Sequence, residues 1–182
     1  MRTMVLMTGA LAMLASCTAD APSPARISTP DEPYYVREGM VNAVNPPTEL
    51  IWNLQVEVMD DDGNFDPALM QPGHWQALEQ GTTDLAAAAH DMADAAVYAS
   101  HDPDGTLGAA PEGTDLAAIQ ARLEANPQAF RAFSQALAGH ADQLQTAVAS
   151  RDPARITQLV NDMQPVCKAC HDTFWYPEEY AD

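Results

Sequence analysis

Apolar residues recur along this chain at alternating steps of three and four, the spacing of an α-helix with one buried face. Between Tyr34 and Met59 the seam is Met40, Val44, Pro47, Ile51, Leu54 and Val58. From Gly73 to Ser100 it is Trp75, Leu78, Thr82, Leu85, Ala89, Met92, Ala96 and Ala99. Phe130, Phe133, Leu137, His140 or Ala141, Leu144 and Val148 mark a third helix, which starts at Asn126-Pro127 and ends near Ser150. Ile156, Leu159, Met163, Val166 or Cys167, Cys170 and Phe174 mark a fourth, starting at Asp152-Pro153. Both starts use the same device, an Asn or Asp cap followed by proline at the first helical position. A shorter helix follows Thr114-Asp115 and reaches about Ala125. No stretch alternates convincingly with period two, so no strand is expected. Long amphipathic helices joined by short or moderate loops predict an all-α fold, an antiparallel four-helix bundle.

Breaks in the pattern refine this picture. Pro46-Pro47 predicts a kink in the first helix or its division into two, because proline offers no N–H and crowds the preceding turn. Pro165 predicts a kink late in the fourth helix for the same reason. Asp60-Asp61-Asp62-Gly63-Asn64 reads as a turn; its likeness to a calcium loop is loose, since the later Glu is missing. Residues 101–113 read as a long surface loop.

The N-terminus has a different character. Arg2 precedes an apolar run from Val5 to Ala15, too short to span a bilayer, as in an export signal. Leu14-Ala15-Ser16-Cys17 resembles a bacterial lipobox, which implies cleavage before Cys17 and a lipid on its thiol; an ordinary signal peptide with an incidental cysteine is the alternative. The expected organisation is a signal over 1–16, a Pro- and Ser-rich tether over 17–33 and a bundle domain over 34–182. That places the mature chain on the periplasmic side, held to a membrane by lipid alone. Thr18 in place of Asp leans toward the outer membrane.

Charge narrows the partners. With 8 Lys and Arg against 26 Asp and Glu the net charge is −18. Such a surface repels nucleic acid and anionic head groups and attracts a redox partner with a basic face. Solubility alone is an equally good reason for it.

The most specific chemistry lies at Cys167-Lys168-Ala169-Cys170-His171. C-x-x-C-H is the attachment signature of a c-type haem. On a helix, positions i, i+3 and i+4 share a face. Two thiols can therefore bond the vinyl groups of one porphyrin while the imidazole reaches its iron from the same side. A structural zinc site would need about four Cys or His ligands, and a thioredoxin-like dithiol would need a neighbouring βαβ unit. Zinc, a redox thiol pair and chance remain as alternatives at this point. No set of nucleophile, base and orienting group stands out, and no phosphate loop, so an enzyme is not expected.

Position of the motif near the C-terminus, helix count and domain length make the chain resemble the class II c-type cytochromes, the cytochrome c prime family, over about residues 34–176. The resemblance implies one covalent haem c on the last helix, held by Cys167 and Cys170 with His171 as axial ligand. It also implies an Arg near the haem propionates, matched by Arg37, and a residue facing the open side of the iron, matched by Met40. Arg37 precedes Met40 by three positions where four is the commoner family spacing. Phe174 matches an aromatic three residues after the haem His, whereas Trp175 replaces the basic residue that often follows. Pro46 through Ile51-Trp52 resembles the P-x-x-x-x-[IV]-W pattern of a subgroup. Homodimers are common in the family.

Function then turns on the group opposite His171. Met/His ligation suits electron transfer by Fe(III)/Fe(II) cycling; an open position suits binding of nitric oxide or carbon monoxide. Met40 is the first candidate, against a role as core filler. Met59, Met70, Met92 and Met163 have weaker claims. His140 reads as a satisfied buried imidazole more than as a ligand, and His90, His74 and His101 rank lower still. Arg37 can instead pair with Glu38 or Asp31. Trp52 and Trp75 read as core or pocket wall, and Lys168 as solvent-facing at the haem edge. A third reading, from another class, is a structural lipoprotein whose Cys167 and Cys170 form a clip.

Overall fold

The computed structural model describes residues 32–176. The chain enters through a two-residue strand, β1 (Tyr34–Tyr35), and passes into α1 (Val36–Gly39), a π-helical turn (Met40–Val44) and α2 (Asn45–Glu57). Then come α3 (Pro72–Asp94), a second short strand β2 (Tyr98–Ala99), α4 (Leu116–Ala125), α5 (Pro127–Ala149) and α6 (Pro153–Cys170). A second π-helical turn, His171–Trp175, continues α6.

Cross-helix pairs fix the bundle. Gln55 of α2 bonds Asn161 of α6, and His90 and Thr83 of α3 bond Asp142 and Gln145 of α5. Arg155 of α6 bonds Gln143 of α5. Between α3 and α5 one number rises as the other falls, from Thr83–Gln145 to His90–Asp142, so these two helices run antiparallel. The four long helices form a ring, α2 beside α3, α3 beside α5 and α5 beside α6. The closing seam, α2 against α6, is the least extensive.

The seams of apolar residues are the core. Ile51, Leu78, Leu85, Leu144, Ile156 and Met163 have no exposed surface. Each such side chain contributes about 1.5–3 kcal/mol by leaving water. Gly81 brings α3 close to α2, since a Cβ there would lie 3.1 Å from Leu50 Cδ2. His140 is buried and shares a hydrogen bond with Leu159 O at 2.8 Å, which ties α5 to α6. Thr157 Oγ1 accepts from Phe65 N at 2.8 Å and pins the α2–α3 loop onto α6.

Helix starts follow the caps. Asp115 accepts from the N–H groups of Ala117 and Ala118, and Asp152 accepts from Arg155 N. Pro127 and Pro153 open α5 and α6.

Two expectations need correction. The second long helix stops at Asp94, not Ser100. Ala95 is already extended, and Arg131 donates to the carbonyls of Ala95 and Ala96. The segment beyond is drawn into a parallel β pair in which Tyr34 meets Tyr98 and Tyr35 meets Ala99, where no strand was expected. The bond from Tyr34 N to Val97 O, at 2.8 Å, starts that register. The expected division of the first helix at Pro46-Pro47 is seen, since a π turn separates α1 from α2. The prolines sit in the first turn of α2, and the preceding turn widens to π geometry, with Asn45 N donating to Met40 O five residues back. At Pro165 the helix continues through to Cys170.

Candidate haem site

The loose α2–α6 seam opens into a cavity of about 240 Å³. Met40 and Val44 line it from the first π turn, and Trp52 from α2. Met92 closes the α3 side, and Phe133 and Leu137 the α5 side. From α6 come Val166, Cys167 and Cys170, with His171 at the start of the second π turn. The spacing of the motif thus does what helical geometry demands: all three of its chemical groups face one cavity.

Two of the polar residues in the wall are satisfied locally. Ser134 Oγ donates to Phe130 O and Thr48 Oγ1 to Val44 O, each within its own helix. The lining is therefore mainly apolar, which suits the faces of a large flat macrocycle.

Burial sets the protonation of the motif. It pushes the thiol of Cys170 up to about 12, with Cys167 alongside adding to the effect, and it raises Cys167 as well. It lowers the pKa of His171, against the opposing pull of Asp172. The imidazole is thus held neutral, with a lone pair free for a metal. Both cysteines are free thiols.

The arrangement discriminates between a single ion and a porphyrin. Cys167, Cys170 and His171 share the cavity, yet among the described residues no three His, Cys, Asp or Glu side chains gather within reach of one ion. Groups spread along a wall fit two edge attachments and one central ligand. The residues present fit haem c.

The second π turn holds His171 in place. Tyr176 N donates to His171 O at 2.8 Å, the i+5 bond of a π turn, and the Tyr176 ring meets the imidazole edge-on at 6.1 Å. Phe174 is buried and packs edge-to-face on Phe130 (5.3 Å) and Phe133 (6.2 Å). Arg122 of α4 donates to Phe174 O at 3.2 Å. Lys168 is exposed and pairs with Asp172 one turn on.

Other residues singled out in the sequence fall as follows. Met40 lines the cavity and is half-buried. Met92 lines it too and is buried, a wall residue that ranked low among the candidate ligands. Met59 is exposed, while Met70 and Met163 are buried outside the cavity lining. Arg37 does not line the cavity; its guanidinium donates to Gly108 O at 2.7 Å and Ala109 O at 3.1 Å. Glu38 accepts from Asp102 N, so α1 clamps the 101–113 loop. Asp31 lies outside the described residues, as do Cys17 and the leader. Among the other histidines, His74 caps α3, His90 pairs with Asp142 and His101 meets Ser100. Trp52 is cavity wall, while Trp75 stacks against Arg151 instead. Phe133 and Leu137 were legible only as seam positions.

A bundle with a C-x-x-C-H motif facing an apolar cleft between its first and last long helices defines a class, the helical haem proteins with covalent attachment. The family model of cytochrome c' matches residues 74–175, more than half of the chain. The chain belongs to the cytochrome c' family, and it is a haem-binding cytochrome. Comparison with curated proteins finds no match, and neither does comparison with solved structures. The matched residues contain the motif and three of the four long helices; Arg37 and Met40 precede them.

Proposed function

We propose that the protein is a periplasmic electron carrier. Cys167 and Cys170 would attach the haem, and His171 from α6 and Met40 from the first π turn would be the residues that hold its iron. The observation that carries this reading is that Met40 and the three chemical groups of the motif, Cys167, Cys170 and His171, line one apolar cavity. Bound haem supplies one-electron Fe(III)/Fe(II) cycling. The chain's own residues do the rest. His171 offers a neutral ring that burial keeps unprotonated. Phe133, Leu137 and Met92 exclude water from the haem faces. Trp52, 38% exposed, lines the cavity and also faces solvent. The acidic surface favours a redox partner with a basic face.

Export agrees with the family, whose members are typically exported, and with the signal-like N-terminus; Cys17 is the proposed lipid site. Among the described residues no helix is long and apolar enough to cross a membrane. The family match removes the reading as a purely structural lipoprotein. A second reading is a five-coordinate haem that binds carbon monoxide or nitric oxide. It is favoured by the partial exposure of Met40, a flexible side chain that can swing aside.

Ferric, ferrous and carbon monoxide-treated spectra of the holoprotein separate the two. Low-spin haem unmoved by carbon monoxide, turned high-spin by Met40→Ala, supports the carrier. High-spin haem in the parent protein, shifting with the gas, supports the gas binder.

A further inference from the structure

Gly39 is the last residue of α1 and precedes the π turn that carries Met40. Its backbone is ordinary right-handed helix (φ −59°, ψ −45°), so no unusual dihedral calls for glycine. The requirement is spatial. A Cβ at position 39 would fall on the Tyr34 ring, 2.6 Å from Cε1 and nearer still to Cζ and Oη. Real side chains do not tolerate such contacts, so ring or helix would have to move.

The ring has little freedom to do so. Tyr34 is fully buried. Its backbone is tied into the β pair, with Tyr34 N on Val97 O at 2.8 Å and Arg37 N on Ser100 O at 3.1 Å. Tyr98, its strand partner, packs on Phe130 at 4.6 Å, and Phe130 packs on Phe174 of the second π turn. The Tyr34 hydroxyl has no hydrogen-bond partner among the described residues. The ring is therefore placed by packing, with its polar end against the helix backbone at Gly39.

We propose that Tyr34 and Gly39 are a positioning pair for Met40: the ring seated on the bare glycine sets where the first π turn begins, and so holds the Met40 thioether over the cavity. The role in ligation rests on Met40 being the sixth iron ligand. A coordinating group must be held to within about 0.5 Å, and the overlap of a Cβ at position 39 with the Tyr34 ring calls for a displacement of ring or helix of at least that order. The pair would decide whether the iron is closed by sulfur or open to a gas.

The test uses Gly39→Ala, Met40→Ala and the double variant Tyr34→Leu/Gly39→Ala, in which the shorter side chain removes Cε1, Cζ and Oη. Two readouts are taken: the Met40 methyl resonance in the haem-free protein, and spin state with carbon monoxide binding in the holoprotein. The expected result is a displaced Met40 methyl in Gly39→Ala. Its holoprotein should match Met40→Ala in high-spin fraction and gas binding, and the double variant should return both toward the parent. If Gly39→Ala leaves the Met40 methyl and the spin state as in the parent, the pair does not position Met40. If Gly39→Ala does not fold, a double variant that folds with its Met40 methyl still displaced overturns the proposal equally. Met40→Ala that stays low-spin refutes ligation by Met40; the methyl resonance then judges the positioning pair by itself.

Discussion

Pro165 lies inside α6, exposed, two residues before Cys167. It has no N–H, so the carbonyl of Asn161 one turn back gets no donor from it, and its ring crowds that carbonyl. An interior proline costs about 3 kcal/mol relative to alanine. One term works against replacing it. The unfolded chain regains freedom, worth about 0.4–1 kcal/mol. The side chain is exposed, so its removal forfeits almost no burial. Pro165→Ala should therefore stabilise the fold by about 2 kcal/mol. For a domain of this size that raises Tm by about 4–8 °C. Urea and thermal unfolding of the haem-free protein, followed by circular dichroism, measure it directly. An unchanged or lowered midpoint would refute the reasoning: the helix would then depend on its proline to bring Cys167 and His171 to the cavity.

Further expectations concern single groups. Arg151 adopts a left-handed backbone (φ 53°) between α5 and α6 while its guanidinium lies 5.2 Å from the Trp75 ring centre. Arg151→Ala keeps the strain and loses the stacking, whereas Arg151→Gly also relieves the backbone, so urea midpoints should rank Gly above Ala by about 1 kcal/mol. In the haem-free protein, burial holds Cys167 and Cys170 as thiols. Iodoacetamide at pH 8 should therefore label them far more slowly folded than in urea, and equal rates would contradict the burial argument. Asp60 accepts hydrogen bonds from Asn64 and Asp62, chiefly the Asn64 N–H, which hold its carboxyl below the ordinary range. Its contribution is present above the unfolded value of about 3.9 and is lost as pH falls through the lower folded value. An NMR titration that finds Asp60 at or above the ordinary value would contradict this.

What could be read in advance depended on how local its cause was. Pro127 and Pro153 open α5 and α6 where the sequence pattern placed them, and Asp152 caps α6, because such devices act within one turn; the Asn126 side chain makes no cap bond. The C-x-x-C-H motif could be placed on one face because i, i+3 and i+4 fix that without reference to the rest of the chain. The end of α3 was hidden for the opposite reason. Ala96 and Ala99 keep the helical phase, but Tyr98 pairs with Tyr34, far back in the sequence. Arg37 was hidden likewise, since its carbonyl partners lie 71 and 72 residues away. Met92 and Phe133 were visible as core positions. That they face a cavity depends on α2 and α6 standing apart, which no periodicity records. The π turn before Pro46-Pro47 had a local signal, two missing N–H groups, which does not by itself say how the helix answers.

The most direct test of the account is the mass and visible spectrum of the denatured protein after expression with a haem-attachment system. The account predicts one haem that stays with the chain in denaturant. Cys167→Ala and Cys170→Ala should each lose one of the two thioether links, and the double variant should release all haem. Haem that dissociates from the unfolded parent protein, or that survives in the double variant, would contradict it.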